Sequence, residues 1–215
     1  MNIIFLGPIA SGKGTQAKIA SSKYNLIAIS IGELLRERRC LKDDIGLKIA
    51  SLQQQGLLVD DDITLRVLEE KIKTCNKNEG IVFDGYPRTM TQAYLLDELL
   101  KKYGRKVDKV INFEIDDKAI VDRIGGRLIC KCGETYHTTY KKPVTNGICD
   151  KCNEELYQRD DDTEQGIKKR LEVYHTLVKP LVEFYEHRNL LTNVNALQPI
   201  DSISIDIEKI LGGVK

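Results

Sequence analysis

The sequence predicts an α/β protein: a doubly wound parallel sheet of five strands around a P-loop, carrying a helical insertion and a small β-rich one. Three observations predict it. Five apolar runs, at 2–6, 26–30, 81–84, 110–115 and 190–194, lack polar alternation, as strands covered on both faces do. Amphipathic stretches of helical length separate most of them, as crossovers between parallel strands require. The first run feeds a glycine-rich turn, Gly7 to Gly14, and then helix formers from Thr15 to Ala20.

Two segments break this rhythm. The first, 30–59, is helical without a strand of its own and opens with Ser30-Ile31-Gly32-Glu33, the spacing of a capping box. The second, 123–159, has short Thr- and Tyr-rich runs with little helical periodicity and reads as a β-rich insertion. Beyond it, Asp161-Asp162-Thr163-Glu164 starts a helix whose apolar positions Ile167, Leu171, Tyr174, Val178 and Leu181 keep three-to-four spacing. Pro180 is expected to kink that helix.

Composition bounds the function. The chain has 215 residues, 33 Lys+Arg against 32 Asp+Glu and a formal charge of +1, which argues against nonspecific nucleic-acid binding. No uncharged apolar stretch approaches the roughly 18 to 20 residues that cross a bilayer. The apolar start lacks a basic flank and stops at Gly7-Pro8, so a buried strand is the better reading than a secretion signal. Six cysteines, four of them clustered, point to a metal site in a reducing, cytoplasmic setting more than to a disulfide framework.

Gly7-Pro8-Ile9-Ala10-Ser11-Gly12-Lys13 satisfies G-x4-G-K between a predicted strand and a predicted helix. Backbone N–H groups of Ala10 to Gly14 and the helix N-terminus can face phosphate oxygens there, Lys13 adds a mobile charge, and Thr15 brings a hydroxyl. Asp84 ends a predicted strand at the same sheet edge. It is placed either to organise magnesium and its waters or to serve as a turn or N-cap aspartate.

With Gly12-Lys13-Gly14-Thr15-Gln16-Ala17 the chain resembles the adenylate kinase family, of the long bacterial type. Further matches follow in order: Gly32-Glu33-Leu34-Leu35-Arg36, Gly56-Leu57-Leu58-Val59, Asp84-Gly85-Tyr86-Pro87-Arg88-Thr89 with Gln92-Ala93, Asp122-Arg123-Ile124 with Gly126-Arg127, and Gln158-Arg159 with Asp161-Asp162, Glu164 and Arg170-Leu171. The resemblance implies ATP + AMP ⇌ 2 ADP with magnesium, by a monomer. It implies a core of 1–29, 60–121 and 160–215, a monophosphate-binding insertion of 30–59 and a lid of 122–159.

On the same ground ATP meets residues 10–15, Arg123, Arg127 and, through its backbone, Gln198. AMP meets Ile31, Arg36, Leu57, Leu58, Val59, Gly85, Arg88, Gln92, Arg159 and Arg170. Lys13, Arg88, Arg123, Arg159 and Arg170 carry the transfer. Phosphoryl transfer suits this set, since it needs spread positive charge and no strong base. Ala10 departs from the family's usual glycine, removing a residue tolerant of positive φ, and Ile31 departs from a usual threonine. Asp60 replaces a usual proline and Leu128 a usual arginine. These departures keep two rivals open: a kinase for another nucleoside monophosphate, and a nucleotide- or zinc-responsive binding protein without turnover.

Cys130, Cys132, Cys149 and Cys152 resemble the zinc-binding lid of some family members, but the first pair has a one-residue spacer. Three outcomes fit: a four-thiolate structural zinc, a disulfide or empty thiols, or three cysteines completed by another ligand such as His137.

Overall fold

The computed structural model describes residues 1–212; 213–215, the end of the expected core segment, lie outside the described residues. The five strands are β1 (Asn2–Leu6), β2 (Leu26–Ser30), β3 (Gly80–Asp84), β4 (Lys109–Glu114) and, after two short lid strands, β7 (Leu191–Asn195). They form one parallel sheet in the order β2-β3-β1-β4-β7. Alternate residues of each strand enter opposite apolar layers. Ile4, Leu6 and Phe83 pack on one face with α4 (Asp61–Lys73), α5 (Met90–Lys102) and α8 (Pro180–His187). Ile3, Phe5, Val82, Ile111 and Phe113 pack on the other with α1 (Lys13–Tyr24) and α9 (Ile200–Gly212). That double covering is why the strands show no polar alternation.

Adjacent strands β1 and β3 send their following helices, α1 and α5, to opposite faces. The carboxyl ends of such a pair open a crevice, and Phe5 stands in register with Asp84 there.

Between β2 and α4 lie α2 (Ile31–Arg39) and α3 (Asp44–Gln54). Ser30 is the N-cap of α2 but makes no side-chain capping bond; it is also the last residue of β2, paired with Asp84. The side chains of Asp43, Thr89, Asp116 and Thr163 do cap α3, α5, α6 (Asp117–Gly125) and α7 (Glu164–Val173). The β-rich insertion is an antiparallel pair, β5 (Arg127–Ile129) and β6 (Thr135–His137), extended by isolated bridges. Arg123 sits before it, in the last turn of α6.

At the expected kink near Pro180 the helix changes type. Helix α7 gives way to a π-helical turn, Tyr174–Val178, in which Lys179 N–H bonds Tyr174 O at 2.9 Å, and α8 restarts with Pro180 at its first position. Proline offers no N–H and its ring collides with the carbonyl four residues back; widening the preceding turn by one residue relieves both problems.

Candidate active site

A cavity of about 1040 Å³ opens at the β1/β3 crevice, bounded by the P-loop, α2, the irregular segment 56–59, β6 and residues 197–201 at the start of α9. That volume lies at the upper end of the range for small-molecule pockets. Every residue expected to touch nucleotide or magnesium lines it: Ala10 to Thr15, Ile31, Arg36, Leu57 to Val59, Asp84, Gly85, Arg88, Gln92, Arg123, Arg127, Arg159, Arg170 and Gln198.

The P-loop is held in a strained form. Ala10 has φ 55°, in the left-handed region where an L-residue other than glycine is disfavoured by roughly 1–2 kcal/mol. Glycine would remove that strain but lose about 0.5–1 kcal/mol through unfolded-state entropy. Ala10→Gly should therefore leave stability level or raise it by up to about 1.5 kcal/mol, seen as a higher denaturation midpoint at unchanged slope. A clearly lower midpoint would show that the alanine methyl contributes packing that outweighs its backbone strain.

Lys13 Nζ donates to Gly7 O at 2.8 Å, to Pro8 O and to Ser11 Oγ at 3.1 Å. Its side chain keeps some solvent contact, but desolvation of the ammonium lowers its pKa to about 8; Asp84 opposes the shift, and Arg88 and Arg127 reinforce it. Asp84 caps no helix. A Cβ on Gly14 would stand 3.2 Å from its Oδ2, so the carboxylate faces the start of α1. Among the described residues it has no hydrogen-bond or ion-pair partner, which leaves both oxygens free for a hydrated cation.

Positive charge dominates the opposite wall. Burial depresses the pKa of Arg36, Arg88 and Arg159, the last to about 10 with Arg36 and Arg127 adding repulsion. Arg88 Nε donates to Gly85 O at 2.8 Å, whereas Arg159 Nε is buried with no hydrogen-bond partner. Asp161 and Asp162 anchor the others. Asp162 receives Arg127 and Arg170, and these outweigh its burial to hold its carboxyl below the usual range. Arg170 also reaches Asp161 at 3.2 Å. Arg123 Nη2 donates to Ala196 O at 2.7 Å, and its guanidinium lies 5.7 Å from the centre of the Tyr140 ring. A desolvated cluster of cations with too few carboxylates is built for polyanions.

Sequence reasoning missed several contributors. Tyr136, His137 and Tyr140 line the cavity from the β-rich insertion, and Lys18 on α1 bonds Gly133 O and reaches Glu134 at 3.4 Å, tying that insertion to α1. Which way short lid strands turn their side chains carries no sequence signal. Asp61 was equally silent, although it meets Gln92.

The four lid cysteines converge. Their sulfurs all lie within 4.8 Å of one another, with Cys130–Cys152 at 3.3 Å and Cys132–Cys149 at 3.6 Å. Tetrahedral thiolates around zinc stand about 3.8 Å apart, so the donor set fits such an ion despite the short spacer. His137 is outside the group: its Nδ1 accepts the N–H of Thr139 and of Tyr140. Burial raises the Cys149 pKa, but the Tyr136 hydroxyl and the N–H groups of Lys151 and Cys152 outweigh it and bring the thiol down to about 6.

A P-loop at a parallel-sheet switch point, facing a wall of buried arginines across a large cavity, defines a nucleotide phosphotransferase. The pattern of the adenylate kinase family matches residues 5–190. Proteins named adenylate kinase from Caldicellulosiruptor bescii (40% identity over 213 residues, 99% of each chain), Bacillus subtilis and Archaeoglobus fulgidus (each 40% over 216 residues, 100% of each chain) are similar along the whole chain. The chain belongs to the adenylate kinase family, and it is a nucleoside monophosphate kinase that moves a phosphoryl group between ATP and AMP. No helix among the described residues is long and apolar enough to cross a membrane.

Proposed function

We propose that ATP lies along the P-loop and under the lid, that AMP lies between α2 and Arg88, and that the phosphoryl group passes in line between them. The observation that supports this most is the buried, unpartnered Nε of Arg159 beside Arg36 and Arg127, a donor in a cationic setting that a phosphate oxygen would satisfy. Lys13 and Arg123 would hold the donor phosphates, Arg36 and Arg88 the acceptor phosphate, and Arg159 and Arg170 the group in flight. The acceptor phosphate is already a nucleophile, so this set positions and neutralises charge without a general base. Magnesium, held through water by Asp84, would neutralise charge on the ATP phosphates.

The three segments would act as a core (1–29, 60–121, 160–215), a monophosphate-binding insertion (30–59) and a lid (122–159) that excludes competing water on closing. A structural zinc on the four cysteines would shape the lid. Since every proposed contact comes from one chain and the thiols suit a reducing compartment, a cytoplasmic monomer is the simplest setting.

Ile31 is buried at the first turn of α2, beside Gly85, and brings no hydroxyl to the acceptor base. One hydrogen bond contributes about 0.5–1.5 kcal/mol, too little to overturn a pocket with several base contacts. Coupled assays with AMP, GMP, CMP and UMP should therefore give AMP the highest kcat/KM, and Ile31→Thr should change the KM for AMP less than about tenfold. A higher kcat/KM for another monophosphate would overturn the acceptor assignment.

A further inference from the structure

Gln92 is 2% exposed and lines the cavity, yet both ends of its amide are already engaged by the protein. Oε1 accepts the Arg88 N–H at 2.8 Å, and Nε2 donates to Asp61 Oδ1 at 2.7 Å. Turning the amide over would set its NH2 against a backbone N–H and its carbonyl against a carboxylate, two like-with-like contacts. The amide therefore has one sense. After these two bonds, a glutamine amide retains one N–H and one oxygen lone pair.

That remainder is directional. Adenine offers a ring-nitrogen acceptor next to an amino donor, and it meets the remaining N–H and lone pair in matched order. Guanine offers a ring N–H donor next to a carbonyl acceptor at the same edge, which demands the opposite amide sense. We propose that Asp61 is a specificity-determining positioning residue: its carboxylate locks the Gln92 amide in the sense that accepts adenine and rejects guanine. The inference rests on the reading that Gln92 meets the acceptor base.

Asp61 lies in the first turn of α4, where a carboxylate also favours the helix N-terminus. Among the described residues it has no ion-pair partner; the neighbouring Asp60 takes Lys48. A purely structural Asp61 would act on stability and on all acceptors alike. An orienting Asp61 acts on the ratio between acceptors.

The test is steady-state kinetics with AMP and with GMP at saturating ATP for wild type, Asp61→Ala, Asp61→Asn and Gln92→Leu. Asp61→Ala should raise the KM for AMP and lower the AMP:GMP ratio of kcat/KM by about tenfold, with kcat for AMP within about twofold. Asp61→Asn can accept from Nε2 or, with its own amide turned, donate to an inverted Gln92. It should recover most of the affinity for AMP while leaving the ratio below wild type. Because the ratio does not depend on the folded fraction, a destabilised variant still reports. A changed ratio in Gln92→Leu with an unchanged ratio in both Asp61 variants would overturn the orienting role alone. Unchanged AMP kinetics in Gln92→Leu would overturn the base-contact reading beneath it.

Discussion

Lys13→Met should lower kcat by about 10²–10³-fold while the protein still folds, because a charge aimed at transferring phosphate in a desolvated site is worth several kcal/mol to the transition state. In the free protein its hydrogen bonds go to the carbonyls of Gly7 and Pro8 and the hydroxyl of Ser11. Its pKa, lowered to about 8 from 10.5, records the cost of desolvation. The sign follows from proton counting. Between about 8 and 10.5 the unfolded chain binds more protons at Lys13 than the folded one, so the wild type gains stability from this group as pH rises through that window. Methionine has no such gain. Differential melts of the two proteins should therefore move in favour of the wild type from pH 8 to pH 10, whatever their order at pH 7. Bound phosphates restore the lysine's affinity for its proton, so ATP binding at pH 9 should take up protons in calorimetry and weaken as pH rises further. Near-wild-type turnover in Lys13→Met would remove the residue from the mechanism.

The parts of the molecule that were legible in the sequence are those with one dominant cause. Strands buried on both faces must be apolar throughout, and all five lie within one residue of their expected starts and ends. The P-loop residues are bound by spacing, and the missing glycine at position 10 foretold the positive φ that Ala10 adopts. Elements set by two competing causes were not legible. Ser30 has the capping spacing for α2, but its place at the end of β2 beside Asp84 leaves its hydroxyl out of the cap. Pro180 promised a kink, and the π turn at Tyr174–Val178 arises only because the chain can widen one turn before it. The arginines were visible as residue types, whereas their placement depends on Asp161, Asp162 and Ala196, which reach them through folding alone. Gln92 was visible too, but the bond that gives its amide a direction spans 31 residues.

Removing a zinc held by Cys130, Cys132, Cys149 and Cys152 is expected to destabilise the protein strongly. The apolar core of the lid is small: Cys130, Tyr136 and Cys149 are buried, with Leu128 and Leu156 packed against them. So few contacts cannot offset the entropy of ordering some 35 residues. A four-thiolate zinc would supply the deficit, since its binding free energy is folding free energy for a segment that cannot hold the site when unfolded. Backbone bonds fix the turns that carry the sulfurs, and one hydroxyl approaches a thiol. Cys130 N–H bonds Glu134 O, Cys149 N–H bonds Glu154 O, and the Tyr136 hydroxyl accepts from Asp150 N while lying 3.5 Å from Cys149 Sγ. Chelation, or Cys149→Ser, should lower the melting temperature by about 10 °C, from a loss of roughly 3 kcal/mol or more at about 2–4 °C per kcal/mol. Activity per folded molecule should largely survive, because a closed tetrahedral site has no open position for a phosphate and the nucleotide arginines flank the cysteines without including them. Elemental analysis should find about one zinc per chain. Metal-free protein as purified, with four reactive lid thiols and an unchanged melting temperature, would exclude the site. Turnover strictly proportional to zinc in fully folded protein would instead move the metal from the lid's architecture into the chemistry.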